Sequence, residues 1–270
     1  MLVRVVTSEL LLAGTMAGAA SMDSAAPMRL YYWGSMAKGL GPAIVAEVSG
    51  LPWQGPGELG FDADEEWPAM KASGRPPFGQ LPLLEDGPLH IRHSAAIASY
   101  IGRKAGMEGE GLAEFAVSQM LLGEGEDLYA NMLRFNPTCF AALDTPRGPP
   151  GAQWPTGGLT EHEVWWADGV PQRVERWEAL LLVGRDRFTS SGQTAGELYF
   201  FAMLHQLVLC RAAALAGTPG VAAFYARVAA LPAVARVLRG ESPFGTFFQY
   251  FISEESDPGH ASLPGPATAG

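Results

Sequence analysis

The chain has 270 residues, 48% of them hydrophobic, and a formal net charge of −10. That length allows one or two domains with a sizeable core, and the acidic balance argues against nucleic acid or an anionic membrane surface as the partner. The two cysteines, Cys139 and Cys210, form no CxxC pair, which excludes a dithiol redox site and argues against a disulfide scaffold.

Residues 1–27 contain a short apolar run, Leu10–Ala20, bounded by Glu9 and weakened by Gly14, Thr15 and Gly18. It falls short of the roughly 20 apolar residues that span a bilayer. It reads either as an unstructured leader or as a cleaved targeting segment, with organelle targeting left open. Met28–Trp33 is β-rich and is the first strand expected. Lys38–Gly50 is apolar at helical spacing through Ile44, Val45 and Val48, with Gly50 as its stop. Leu51–Gln54 reads as a second short strand, Gly55–Glu66 as a Gly-rich acidic loop, and Trp67–Ser73 as a helical turn.

Pro77–Tyr100 is the most informative stretch. Its pattern predicts strand, turn, short strand and helix. Gln80-Leu81-Pro82 stands at the mouth of the first of these strands, where proline marks an edge, a sharp bend or a cis bond. Glu85-Asp86-Gly87 is a hairpin signal. His93-Ser94 precedes the helix start Ala95–Ala98 and offers a hydroxyl to cap it. A backbone edge beside a proline can pair with an extended peptide, and a helix N-terminus can hold that peptide's carboxylate.

The rest of the chain is helical in pattern. Gly102–Gly111 is a Gly-rich, charged linker, and Leu112–Phe135 is long and amphipathic. Asn136–Gly158 is too rich in Pro and Gly for one helix and reads as an insertion. Leu159–Val183 resumes helical spacing. Thr194–Leu215 is the most apolar helix and the one expected at the centre; Thr194 and Glu197 have capping-box spacing at its start. Gly220–Leu231 and Pro232–Arg239 are two short helices, and Ser253–Gly270 is a disordered tail. The aromatic run Phe244–Ile252 either closes over a pocket or packs on the helices. The expected fold class is α/β plus all-α. Residues 1–27 form the leader, 28–105 a small domain, 106–245 an all-helical domain with the insertion near 136–158, and 246–270 the aromatic segment and tail.

The order β-α-β then β-β-α, with Gln80-Leu81-Pro82 and His93-Ser94, resembles the thioredoxin-like domain of cytosolic glutathione transferases, the sigma class above all. Leu30-Tyr31-Tyr32-Trp33 is similar to the setting of that family's catalytic tyrosine. The resemblance implies glutathione as co-substrate, no metal, an apolar electrophile, a cytoplasmic homodimer, and no nucleic-acid or membrane partner. The function implied is conjugation of the glutathione thiolate to hydrophobic electrophiles in detoxification. The rivals are a glutathione-dependent isomerase of the prostaglandin-synthase kind and a transferase-fold scaffold without catalysis.

Tyr32 is the catalytic candidate. A thiol with a pKa near ~8.5 needs about 2.7 kcal/mol of preference for its anion to titrate two units lower. One hydrogen bond to a charged acceptor supplies about 1.5–3 kcal/mol. By resemblance, Trp67 and Lys71 hold the glycine carboxylate, and the Leu81 backbone pairs with the cysteine unit beside Pro82. Gln80 contacts the peptide, and His93 and Ser94 hold the γ-glutamyl end. Asp127 reaches the glutathione of a neighbouring subunit. Two positions depart from the family pattern: His93 stands where glutamine is usual, and Lys38 where arginine is usual, keeping the charge without the fork geometry.

Overall fold

The computed structural model describes residues 26–136, 138–139, 161–184 and 187–253. The leader, the insertion and the tail expected from sequence lie outside the described residues, apart from a few positions at their edges.

Strand β1 (Met28–Tyr31) buries Met28 and Leu30 and leaves Arg29 exposed, the alternation of a strand with one covered face. It pairs in parallel with β2 (Trp53–Gln54) and antiparallel with β3 (Leu83–Asp86), which pairs antiparallel with β4 (Leu89–Arg92). The sheet order is β2-β1-β3-β4. Parallel neighbours need a crossover, and α1 (Met36–Ser49) supplies it. Gly50 ends α1 at φ 67°, the left-handed conformation that glycine adopts without cost. The register Asp86↔Leu89 closes the β3–β4 hairpin over Gly87-Pro88, as the sequence signal indicated.

The acidic loop expected at Gly55–Glu66 is instead helical in part. Pro56 opens a short α2 (Pro56–Leu59), and Asp62 caps α3 (Ala63–Ala72) by accepting from the amides of Asp64 and Glu65. Proline is well suited to a first helical position, and acidic side chains complement the positive end of a helix. The composition that read as loop is the composition of two helix starts. α3 therefore begins four residues before the helical turn expected at Trp67.

Helix α4 (Ser94–Lys104) follows β4, and α5 (Gly111–Phe135) is the long helix expected. α6 (Glu161–Val164) runs through a π-helical turn at Trp165–Gly169 into α7 (Val170–Val183). α8 (Ala195–Cys210) ends earlier than the apolar pattern suggested, because Arg211 turns extended and a 3-10 turn, Ala212–Leu215, takes over. α9 (Pro219–Ala229) and α10 (Pro232–Leu238) close the helical part. Among the described residues no single helix is long and apolar enough to cross a membrane. α9 and α10 pass that test together, but they are bent by 83° and their apolar residues Phe224, Val228, Val234 and Val237 are in the core.

Helix α8 is the centre. Leu198 to Leu204 are all fully buried, and the helix packs on α5, α1 and α4. Its start is a complete capping box: Thr194 Oγ1 accepts from the Glu197 amide, and Glu197 Oε2 accepts from the Thr194 amide at 3.0 Å. Thr189 donates to the same carboxylate at 2.9 Å. The close approach of α8 to α5 depends on Gly196, where a Cβ would stand 2.0 Å from the Ser118 carbonyl oxygen. Gly41 plays the same part for α1, where a Cβ would fall 2.5 Å from the Tyr199 ring.

Candidate active site

The end of β1 separates two tyrosines. Tyr31 turns to a charged cluster, donating to Glu85 at 3.3 Å and accepting from Arg75 at 2.8 Å. Tyr32 is buried at 7% exposure, and its oxygen accepts from the Lys38 amide at 3.3 Å. Burial pushes the Tyr32 hydroxyl up to about 12; the Lys38 amide opposes this, nearby Tyr250 reinforces it, and a hydrogen bond with Ser35 opposes it. The phenol therefore keeps its proton at neutral pH and is a hydrogen-bond donor, not a tyrosinate.

From Tyr32 an aromatic line runs outward. Trp33 meets Tyr32 edge to face at 5.4 Å, and Trp67 on α3 meets Trp33 at 5.9 Å. The Lys71 ammonium lies 5.9 Å from the Trp67 ring, and its stem runs beside Gly79. Gln80, next in the chain, is exposed and extended. The Leu81–Pro82 bond is cis, and the ladder begins only at Leu83, so the Leu81 backbone stands past the end of both pairings of β3. Tyr32, Trp33, Trp67 and Lys71 thus form one line of contacts, with Gly79, the residue before Gln80, at its end.

A polar network that sequence reasoning only partly saw is built on Lys38. The Lys38 ammonium pairs with Glu126 at 2.7 Å and sits 4.1 Å from the centre of the Tyr129 ring. Glu126 also accepts from the Ser94 hydroxyl at 3.2 Å and from Tyr199, whose hydroxyl lies 2.8 Å from that of Ser94. Burial pushes the Glu126 carboxyl up, but Lys38, Tyr199 and Ser94 together hold it below its ordinary value. Burial lowers Lys38, with Glu126 opposing.

Ser94 is not the cap its sequence position suggested. His93 occupies the N-cap position with φ 69°, its carbonyl accepting from the Ile97 amide at 2.8 Å, and Ser94 is the first helical residue. The serine hydroxyl is turned to Glu126 and Tyr199 because the helical part stands directly against the start of α4. His93 is exposed, with a ring nitrogen 2.9 Å from Arg92. A non-glycine residue at positive φ is strained, and Phe78 shares that condition at φ 61°, with its ring 6.0 Å from the His93 ring. Asp127 is exposed one residue beyond Glu126.

The C-terminal aromatic run closes the remaining side. Phe248 bridges to the β1–α1 connection, its amide donating to the Gly34 carbonyl at 2.8 Å and its carbonyl accepting from the Met36 amide at 3.0 Å. The Tyr250 carbonyl accepts from the Cys139 amide at 2.9 Å. Phe244 and Phe251 are buried, and Tyr129 packs on both Tyr250 and Phe251. The run both packs on the helices and borders Tyr32. A cleft of about 370 Å³ opens elsewhere, between α7 and the Ala212–Leu215 turn, and shares no residue with this cluster.

Glu126, Tyr129, Tyr199 and Ser35 are the residues of this site that sequence reasoning did not assign. Glu126 and Tyr129 stand in the Glu126-Asp127-Leu128-Tyr129 stretch, three apart on one helix face, which was the available signal. Tyr199 carries none, since an aromatic within an apolar helix reads as core. Among the described residues no group of three His, Cys, Asp or Glu side chains can hold a metal ion.

No family-level sequence profile matches the chain. Among solved structures, the glutathione S-transferase of Ascaris lumbricoides superposes with a TM-score of 0.61 at 23% identity, over 80% of this chain and 99% of that one. A sigma class transferase of Fasciola hepatica gives 0.59 at 21%, over 81% and 99%. These likenesses establish the fold, a thioredoxin-like N-terminal part followed by a helical C-terminal part. Among curated proteins, glutathione S-transferase 1 of Zea mays is 31% identical over 173 residues, which is 60% of this chain and 74% of the maize protein. A match of that depth over most of the maize enzyme means that this chain belongs to the glutathione S-transferase family.

Proposed function

We propose that the chain is a sigma-like enzyme that conjugates the glutathione thiolate to hydrophobic electrophiles, with Tyr32 as the catalytic residue. The observation that carries this reading is the Tyr32 hydroxyl, buried, protonated and with its oxygen held by the Lys38 amide at the end of β1. A phenol so held donates to a sulfur placed beside it and favours the thiolate over the thiol. The thiol proton passes to solvent, and the thiolate attacks the electrophile, its attack helped by proximity within an aromatic-walled site.

Residues 28–105 hold the tripeptide in this reading, and 106–245 supply the facing wall. Trp67 and Lys71 are both donors and suit the glycine carboxylate. Leu81, freed from the ladder beside cis-Pro82, pairs with the cysteine backbone, and Gln80 flanks it. The amides at the start of α4, with Ser94 and His93, receive the γ-glutamyl carboxylate. Lys38 acts through its amide on Tyr32 and through its ammonium on Glu126.

The working form is a twofold homodimer in which Asp127 serves the partner's site. Phe78 supports it: a phenylalanine 81% exposed, in a strained backbone conformation three residues after Arg75, has the character of an interface anchor. The setting is the cytoplasm and the role is clearance of reactive electrophiles.

The direct test is conjugation of glutathione to 1-chloro-2,4-dinitrobenzene, followed by absorbance. Wild type is expected to turn over, Tyr32→Phe to lose about tenfold or more in kcat/KM, the worth of one hydrogen bond to a charged acceptor, and Trp67→Ala to raise KM for glutathione. A wild type no faster than buffer would sink the proposal.

A further inference from the structure

Gln206 is out of keeping with the apolar helix that carries it. Its side chain is polar yet only 3% exposed, and among the described residues its Oε1 has no hydrogen-bond partner. An orphaned carbonyl oxygen in a core costs stability. The other end of the side chain is fully used. Nε2 donates to the Ala37 carbonyl at 3.0 Å, and the Ala202 carbonyl and the Met203 sulfur lie 3.4 and 3.6 Å from the same nitrogen. Three acceptors around Nε2 settle which way the amide faces, since the reverse orientation would set oxygen against oxygen.

Ala37 is where α1 departs from helical geometry, with φ 13° and ψ −110°. A helix has ψ near about −42°, so the Ala37–Lys38 peptide unit is turned out of the helical direction. Ala37 is buried, and its carbonyl needs a partner inside the protein; Gln206 supplies one from α8. The N–H of this same peptide unit is the one that donates to the Tyr32 oxygen at 3.3 Å. A peptide unit is planar, so a bond that fixes its carbonyl also fixes the direction of its N–H. The next residue, Gly39, receives the Tyr32 ring, where a Cβ would stand 2.5 Å from the ring edge. Tyr32 thus rests against one turn of chain, and Gln206 ties that turn to the central helix.

We propose that Gln206 is a positioning residue for thiolate formation: by holding the Ala37 carbonyl it aims the Lys38 amide at the Tyr32 hydroxyl, and so sets how strongly Tyr32 donates to the glutathione sulfur. The inference deepens the conjugation reading above and rests on it. The bonds follow one another from Gln206 Nε2 to the Ala37 carbonyl, and from the Lys38 amide to the Tyr32 oxygen. Donation to a carbonyl polarises the N–H of its peptide unit, and donation to a phenol oxygen polarises its O–H, so each bond strengthens the next. A stronger O–H donor favours the thiolate over the thiol, because a charged acceptor gains more from it than a neutral one. The unpaired Oε1 is the cost of keeping an amide donor in the core, where an apolar side chain would pack without one.

The experiment is a double-mutant cycle of Gln206→Met with Tyr32→Phe, read as the titration midpoint of the ultraviolet thiolate band of bound glutathione. Methionine matches glutamine in length and suits an apolar core, and it removes the orphaned oxygen together with the donor. Gln206→Leu, which also lacks the donor, replaces it if the methionine variant does not fold. With Tyr32 present, Gln206→Met is expected to raise the midpoint by about 0.5–1 unit. In the Tyr32→Phe background it should raise it no further, because no hydroxyl is left for the Lys38 amide to act on. An unchanged midpoint with Tyr32 present overturns the proposal. So does an equal rise in both backgrounds, which would mean that Gln206 only supports the fold. The Lys38 amide proton, followed by NMR in the protein without glutathione, should move upfield in Gln206→Met and in Tyr32→Phe, and a resonance that Gln206→Met leaves in place overturns the proposal as well. A wild type with no thiolate band fails the conjugation reading itself, whereas a normal band with no coupling between the two substitutions fails only the role of Gln206.

Discussion

Lys38→Met tests the polar network between the sheet and the long helix. The substitution keeps the length of the side chain and removes the charge that pairs with Glu126 at 2.7 Å. Breaking a fully buried pair costs about 3–5 kcal/mol, and an exposed one about 0–1 kcal/mol. Here the Lys38 and Glu126 side chains are 20% and 39% exposed, and Ser94 and Tyr199 still donate to the carboxylate. The cost expected is therefore about 2 kcal/mol, between those limits. Urea unfolding at fixed protein concentration measures it, with the slope unchanged. Removing the stranded charge as well, in Lys38→Met/Glu126→Gln, should restore at least half of the loss, because the penalty belongs to the unpaired carboxylate. The pH dependence has a definite sign. Glu126 is held below its ordinary value near 4.5 in the folded protein, so its contribution is present above that value and is lost as pH falls through the folded pKa. The gap between wild type and Lys38→Met should be widest at neutral pH and shrink below about pH 4.5. A single variant within about 0.5 kcal/mol of wild type, or a double variant no more stable than the single, would refute this reasoning.

Two further outcomes are expected. Thr194→Ala removes the cap of the central helix, where Glu197 would keep the Thr194 amide but lose the reciprocal bond; it should cost about 1–2 kcal/mol in urea unfolding, while Thr194→Ser should cost less than half of that. Phe78→Ser removes the phenylalanine that is 81% exposed and should shift the proposed homodimer to monomer in analytical ultracentrifugation without lowering the melting temperature of the monomer, whereas an unaltered oligomeric state would remove Phe78 from the proposed interface.

Much of the fold was legible because its signals are local. The Gln80-Leu81-Pro82 mouth, the Asp86-Gly87 turn and the Thr194/Glu197 box each lie within a few residues, and the structure carries all three. The segment at residues 55–66 was misread because glycine and acidic residues serve loops and helix starts alike. Only the placement of Pro56 and Asp62 directly before helix-forming residues distinguishes the two. Ser94 was misread for a different reason. Its hydroxyl partners, Glu126 and Tyr199, are 32 and 105 residues away, and no local pattern reports a contact across that separation. The same holds for the aromatic run. Its composition left a lid and packing on the helices both open, and its bridges to Ser35 and Thr138 depend on the folded chain bringing those residues to it.

The central claim is that Tyr32 holds glutathione as its thiolate. The most direct measurement is the ultraviolet difference spectrum of bound glutathione against pH, for wild type and Tyr32→Phe. Wild type should show the thiolate band titrating about two units below the ordinary thiol value of ~8.5, and Tyr32→Phe should return most of that shift. A titration identical in the two proteins, or bound glutathione with no thiolate band near neutral pH, would contradict the account and leave a transferase fold without transferase chemistry at Tyr32.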